Sequence, residues 1–262
     1  MIDLFRRDGR PLVVGHRGAA ALAPENTIEA FRVAVELGVD LVELDVLALQ
    51  RGPLVVAHSD RLEEVTHGAL TGRVDGRSLE ELREVAPALL TFDEALAWFA
   101  SDARQVGIHV DLKLRHRLDE LVALLERHDV VERAVVSSVH ADALRAVAAA
   151  SPRVRLALTY PEDRMRASRH RPLQPVVKAV LVGLSLALPR RLSSMVGAAG
   201  AGALMLQHRV VTDRAVAQAH ALGVPVLAWT VDERRDAERV LEAGVDGVIT
   251  NDPSMLLATL AT

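Results

Sequence analysis

The stretch Leu41-Val-Glu-Leu-Asp-Val-Leu-Ala-Leu-Gln-Arg-Gly-Pro-Leu-Val-Val-Ala57 decides the fold. Its first part, Leu41–Val46, reads as a strand rich in β-branched and leucine residues. The two acidic residues inside it, Glu43 and Asp45, are two positions apart, so their carboxylates project from the same face. A second run, Leu54–Ala57, follows after only a few residues around Gly52-Pro53. A parallel crossover needs roughly a dozen residues or more, so this second run is expected to return as a hairpin, antiparallel to the first.

Outward from this stretch, short β-branched runs alternate with segments of helical period along the whole chain. That is the pattern of a parallel sheet wrapped by helices. Strands are expected at Leu12–Gly15, Leu41–Val46, Ile108–Leu112, Ala134–Ser138, Arg155–Thr159, Leu204–Gln207, Val226–Val231 and Gly247–Thr250. Each is separated from the next by enough chain for a helix, and eight such units predict an α/β protein, a closed (β/α)8 TIM-type barrel with the extra hairpin strand after strand two. Asn26 with Glu29 and Thr91 with Glu94 have capping-box spacing, and Leu118–His128 and Arg234–Glu242 carry apolar residues three and four apart. Glycines at 197–202 and 244–247 read as helix ends leading into strands. No linker divides the 262 residues, so one domain over 1–262 is the expectation.

Composition narrows the chemistry. Half of the residues are hydrophobic, enough for a large core. With no cysteine, disulfides, thiolate metal sites and cysteine nucleophiles are excluded. The net charge of -4, with both signs interspersed, lacks the basic footprint of a nucleic-acid binder. The start, Met1-Ile-Asp-Leu-Phe-Arg-Arg7, has charges where a secretory signal has its apolar run, so a cytoplasmic location is expected, with membrane association as a variant discussed below.

In such a barrel, side chains at the C-terminal strand ends converge on one site. That rule selects His16 and Arg17 after the first strand, Glu43 and Asp45 on the second, Asp111 and Lys113 on the third, and His58 at the end of the hairpin return. Cleaving a phosphodiester requires one proton to be removed and another supplied, and histidine suits both near neutral pH. His16 and His58 are therefore the expected catalytic pair. A hard cation on Glu43, Asp45 and Asp111, with Arg17 and Lys113 beside it, would stabilise phosphoryl charge. Oxygen-only ligands favour Mg²⁺ or Ca²⁺.

The motifs Gly15-His-Arg-Gly18, Pro24-Glu-Asn-Thr27, Glu43-Leu-Asp-Val46 and Val55-Val-Ala-His58, with the later Trp229-Thr-Val-Asp232 and Gly244-Val-Asp-Gly-Val-Ile-Thr-Asn-Asp-Pro253, together resemble the glycerophosphodiester phosphodiesterase family of the phospholipase C-like phosphodiesterase barrels. The resemblance spans nearly the whole chain. It implies metal-dependent hydrolysis of a glycerophosphodiester to glycerol 3-phosphate and an alcohol, with His16 and His58 as the acid/base pair, Arg17 and Lys113 on the phosphate, and Glu43 and Asp45 on the metal. It further implies Trp229 as a wall for the glycerol moiety, and Glu25 near the site, either at the metal or orienting a histidine. Three positions depart from the family pattern: Ser59 stands where aspartate is usual, Asp111 where glutamate is usual, and Val139-His140 where a Phe-Asp type pair is usual. His140 is either an extra substrate contact or a helix-start residue.

Other residues carry structural expectations. His109 would point into the barrel as a buried, hydrogen-bonded residue. Asn251-Asp252 would cap a last helix starting at Pro253. His67, His116, His128, His170 and His220 are expected at the surface. One segment lies outside the family pattern. Residues 164–191 hold Arg164, Arg166, Arg169 and Arg171, then an apolar run Pro175–Pro189 interrupted by Lys178, then Arg190-Arg191, with no acidic residue. The run is too short to span a membrane, which takes about 20 residues, but basic flanks around an apolar helix suit an anionic membrane surface. Peripheral membrane contact would favour a lysophospholipase D-type reaction on lipid diesters. If Val176–Leu188 is simply the sixth barrel helix, soluble diesters are favoured instead. A non-catalytic phosphate- or headgroup-binding protein is the alternative of a different class, prompted by Ser59 and Asp111.

Overall fold

The computed structural model describes residues 1–66, 70–162 and 174–261. The strands are β1 (Leu12–Gly15), β2 (Leu41–Ala48), β3 (Leu54–Val56), β4 (Gly107–Leu112), β5 (Ala134–Ser138), β6 (Arg155–Tyr160), β7 (Ala203–Gln207), β8 (Val226–Trp229) and β9 (Gly247–Thr250). They form one sheet in the order β1-β9-β8-β7-β6-β5-β4-β2-β3, and β1 also pairs with β2. That last pairing closes eight parallel strands into the expected barrel. β3 lies outside it, antiparallel to β2 with Val46 opposite Val56, as the short Gly52-Pro53 connection requires.

The barrel strands are apolar on both faces because both faces are covered. Inside, Leu12, Val14, Leu41, Val135, Met205 and Leu227 fill the lumen below the site. Outside, a much larger cluster joins the sheet to the surrounding helices, with Phe31, Phe92 and Phe99 fully buried. The helices are α1 (Ile28–Leu37), α4 (Phe92–Ser101), α5 (Leu118–Arg127), α6 (Ala141–Ala150), α7 (Gln174–Ala199), α8 (Asp213–Ala221), α9 (Arg234–Glu242) and α10 (Pro253–Leu260). Between β3 and α4 the chain inserts the short helices α2 (Leu62–Val65) and α3 (Leu79–Val85). These bury Leu62, Val74 and Leu82 against Leu47 and Val55 in a separate small core beside the barrel mouth.

Caps follow the sequence with one correction. Thr91 and Glu94 form the expected capping box of α4, and Asp252 caps α10 with Pro253 in its first turn. Asn26, however, does not cap α1. Its backbone is left-handed at φ +58 and its side chain reaches Asp45, so Thr27 caps the helix by accepting from the Ala30 N–H.

Helix α7 differs from expectation more strongly. It does not stop at Pro189 but runs on to Ala199, 26 residues in all. Proline inside a helix forfeits one backbone hydrogen bond. Here Leu188 and Leu192, both fully buried, pack the helix onto the barrel on either side of it. By length and composition alone Pro175–Ala199 is therefore long enough to cross a membrane, contrary to the shorter apolar run read from the sequence. Arg164, Arg166, Arg169 and Arg171, with His67 and His170, lie outside the described residues.

The remaining histidines also sort by contact. His116 is exposed at the mouth, and His220 pairs with Asp246. His128 is half-buried rather than superficial because its Nε2 is held 2.7 Å from Asp93.

Candidate active site

His16 and Arg17 follow β1 through a sharp turn in which Arg17 has φ +52 and Gly18 φ +89. A Cβ on Gly18 would stand 2.5 Å from the backbone carbonyl carbon of Ala30, and one on Gly15 would stand 2.4 Å from the Gly18 oxygen. Glycine is therefore required on both sides of the pair. The turn is pinned by the Arg17 N–H donating to Glu43 Oε2 at 2.7 Å and the His16 N–H donating to the Thr250 carbonyl at 2.8 Å.

Strand register brings the acidic groups together. Asp45 lies opposite Asp111 on β4, and Glu43 opposite His109. Glu43, Asp45 and Asp111 each offer an oxygen within 4.8 Å of the others, a group that can hold a metal ion. Asp111, although one methylene shorter than the family's usual residue, is held in place. Ser137 Oγ donates to its Oδ1, and the Lys113 ammonium bonds its Oδ2.

The electrostatics of the cluster are uneven. Burial raises the Glu43 carboxyl well above the usual range, and the charges of Asp45 and Asp111 push in the same direction. Burial also opposes ionisation of Asp45, but the Lys113 ammonium and the Arg17 guanidinium outweigh it and hold that carboxyl well below its ordinary value. Lys113 is raised despite its burial by Asp111 and Asp45. Two features suit a divalent cation: an all-oxygen donor set converging from Glu43, Asp45 and Asp111, and a buried Glu43 whose ionisation the two aspartates oppose, although Lys113 Nζ, 3.0 Å from Asp45 Oδ1, already supplies part of the positive charge there.

His16 is poised differently. Its Nδ1 lies 2.7 Å from Asn251 Oδ1, and the Asn251 amide donates to Asp232 Oδ2 at 2.7 Å. A carboxylate only accepts, so Asp232 turns the Asn251 oxygen toward His16, and His16 carries its proton on Nδ1. The unprotonated Nε2 then faces Glu43 Oε2 at 3.9 Å. Burial, followed by the neighbouring Arg17, lowers this imidazole to about 4, so it is neutral at pH 7.

His58 stands on the segment leaving β3, its Nδ1 3.6 Å from Glu64 Oε2 of α2. Ser59 accepts from the Arg61 N–H in a local turn. A cavity of about 660 Å³ opens over these groups, lined by His16, Arg17, Glu43, Asp45, His58, Asp111, Lys113 and Trp229. The Trp229 indole N–H donates to the Met205 carbonyl at 2.9 Å, which fixes it as a wall. His140 occupies the N-cap position of α6 and also lines the cavity.

The Glu25 carboxylate accepts from Arg17 Nη1 at 2.7 Å and so braces the guanidinium. Sequence reading gave no site role to Asp232 and Ser137 and took Asn251 and Asn26 for helix caps, whereas Asp252 alone caps α10 and the Asn251 side chain bonds His16 and Asp232. Asn26 donates to Asp45 Oδ2 at 3.0 Å. Its place in Pro24-Glu-Asn-Thr27 was the available signal, misread as a cap.

His109 is buried as expected, with Nε2 2.8 Å from Ser137 Oγ. Because the Ser137 hydroxyl donates to Asp111, His109 donates to it, and the two form a relay that supports the acidic cluster. Burial lowers His109 from 6.5 to about 4. The unfolded chain thus binds this proton more readily, so the stabilisation is complete above about pH 6.5 and is lost as pH falls toward about 4, up to about 3 kcal/mol. Urea unfolding at pH 7.5 and pH 5.0 is expected to show a smaller stability loss on acidification for His109→Gln than for the natural protein. An equal loss in both would show that His109 is not the titrating group.

A sequence profile of the glycerophosphoryl diester phosphodiesterase family matches residues 16–255. The chain is 28% identical to a glycerophosphodiester phosphodiesterase of Caldanaerobacter subterraneus subsp. tengcongensis, over 95% of this chain and 97% of that one. It superposes with TM-score 0.79 and 25% identity on the crystal structure of a Silicibacter pomeroyi protein assigned as a glycerophosphoryl diester phosphodiesterase, covering 98% of this chain and 95% of that one. An Oleispira antarctica phosphodiesterase, solved in complex with the product sn-glycerol-3-phosphate, has the same fold at TM-score 0.73 and 21% identity, covering 96% and 97% of the two chains.

Proposed function

The chain belongs to the glycerophosphoryl diester phosphodiesterase family and is a phosphodiesterase, and from that premise we propose that it hydrolyses glycerophosphodiesters to sn-glycerol 3-phosphate and an alcohol with His16 as base, His58 as acid and a divalent cation as cofactor. The observation that carries this reading is the His16 Nε2 facing Glu43 of the three clustered carboxylates, with Arg17 and Lys113 beside them in one cavity.

Arg17 and Lys113 orient the phosphoryl oxygens by charge-assisted hydrogen bonds. His16 Nε2 takes the proton of the attacking hydroxyl as the new P–O bond forms; attack by water gives glycerol 3-phosphate directly, whereas attack by the substrate's own glycerol hydroxyl gives a cyclic phosphate that a water must open in a second step. The P–O bond to the alcohol breaks, and His58 supplies the proton to the departing oxygen. Glu43, Asp45 and Asp111 would hold the cation, Mg²⁺ or Ca²⁺ by their all-oxygen character, and such a cation, when bound, withdraws negative charge from the phosphoryl group. Trp229 walls the glycerol side of the cavity.

The product assay tests the reading. Glycerophosphocholine incubated with protein and Mg²⁺ or Ca²⁺ is expected to yield glycerol 3-phosphate and choline in equal amounts. Release of phosphocholine instead would place the cleaved bond on the other side of phosphorus and overturn the assignment. A lysophospholipase D-type reaction at the same site is the second reading, and the exposed apolar half of α7 is the observation that favours it.

A further inference from the structure

Helix α7 is out of proportion to its neighbours. Its 26 residues extend about 39 Å, whereas the other barrel helices, of 8–10 residues, extend roughly 12–15 Å. Its C-terminal end leads through Gly200–Gly202 into β7 at the rim opposite the active site, where Arg155 Nη2 at the start of β6 donates to the Gly202 carbonyl. A six-residue strand such as β6 rises about 20 Å, a height that α7 covers in roughly 13 residues. Counted back from Ala199, the barrel wall is therefore spent near residue 187. Burial follows the same division: Leu188, Leu192 and Ala199 are fully buried, whereas no residue from 175 to 187 is.

The half that stands beyond the catalytic rim is apolar apart from Lys178 and Ser185. Val176, Val180, Val182 and Leu186 are 54–73% exposed, half of the exposed large hydrophobic residues found among the described residues. Leu181 and Leu184 lean only partly on their neighbours. Ser185 satisfies its hydroxyl within the helix by donating to the Val182 carbonyl at 2.8 Å. A helix whose exposed surface is so largely apolar needs an apolar surrounding. Charge says which one. Between Asp163 and Asp213 the sequence has eight Lys and Arg and no Asp or Glu, in a chain whose acidic residues outnumber the basic by 35 to 31. Lys178 lies within the apolar half, and the exposed Arg190 and Arg191 lie at its base. Apolar residues bounded by cations match the interface of an anionic bilayer.

We propose that residues 175–187 of α7 insert into one leaflet of an anionic membrane and set the barrel mouth against the lipid headgroups. The inserted part spans about 20 Å, short of the roughly 30 Å hydrocarbon core. The remainder is fixed to the barrel, so the helix lies in the interface rather than across it. Lys178 extends its ammonium back to the headgroups. The mouth belongs to the same rim: Pro161 and Glu162, just after β6, line the active-site cavity. Resting on the phosphodiesterase reading, this placement makes lipid-borne glycerophosphodiesters, lysophospholipids among them, the substrate class.

The test is co-sedimentation of the whole chain with vesicles of phosphatidylcholine alone or mixed with phosphatidylglycerol, at low and high salt, for the natural protein and for Val180→Glu/Leu186→Glu. Glycerophosphocholine turnover and solution mass are measured alongside. Binding is expected to anionic vesicles only, to weaken with salt, and to fall at least tenfold in the variant while soluble turnover stays unchanged. Both substituted positions are exposed, and that turnover reports that the variant is folded. Absence of binding by the natural protein, equal binding by the variant, or a dimer that the variant dissociates and that ignores vesicles would each overturn the proposal. The last outcome would assign the apolar half to a second copy of the chain. Vesicle binding without turnover would leave the docking intact and count against the catalytic reading instead.

Discussion

Replacing His16 with alanine is expected to lower kcat on glycerophosphocholine by roughly 10²–10⁴, with a much smaller change in KM. The proposed role as base rests on geometry: Asn251 and Asp232 hold the proton on Nδ1, and Nε2 is turned toward Glu43. Arg17 and Lys113 remain in the variant to bind phosphate, which is why the loss falls on turnover rather than on affinity. Asn251→Leu keeps the imidazole but frees its tautomer, so a smaller loss in kcat is expected. The pH profile gives a second check. With His16 lowered to about 4, the base stays neutral well below its ordinary 6.5, and the acid limb of kcat/KM is expected below pH 6.5. Full turnover by His16→Ala would remove this residue from the mechanism.

Glu43→Gln is expected to separate stability from function. In the metal-free protein the Glu43 carboxyl is raised by burial and by repulsion from Asp45 and Asp111, so a neutral isostere relieves the crowding while still accepting the Arg17 N–H. The metal-free variant should therefore melt at or above the temperature of the natural protein. Binding runs the other way. A cation at 100 times its Kd stabilises the folded state by about 2.7 kcal/mol, which for a domain near this size is a rise in Tm of roughly 5–10 °C. Loss of one of three carboxylates is expected to abolish most of that rise and nearly all turnover. A metal-induced rise in Glu43→Gln equal to that of the natural protein would place the cation elsewhere.

The barrel was legible because parallel strands buried on both faces read as unbroken apolar runs, and because β2 breaks that pattern at Glu43 and Asp45 alone. The hairpin return followed from chain length at Gly52-Pro53. What sequence could not supply is the set of contacts made across the barrel. Asn251 reaches His16 across 235 residues of chain, and Asn26 reaches Asp45 past the whole of α1, so neither partner can be read from local spacing. Glu64 meets His58 only because α2 folds back over the mouth, and no periodicity reports that return. Helix α7 was misjudged for a different reason. The helix read from the sequence ended at Leu188, whereas it continues past Pro189 with Leu188 and Leu192 buried on either side.

The most direct test of the central claim is glycerol 3-phosphate release by protein stripped with EDTA and then titrated with Mg²⁺ or Ca²⁺. Turnover should vanish on chelation and return in proportion to occupancy of a single site, in the natural protein but not in Glu43→Gln. Undiminished turnover after chelation, with the stripped protein verified free of metal, would contradict the account.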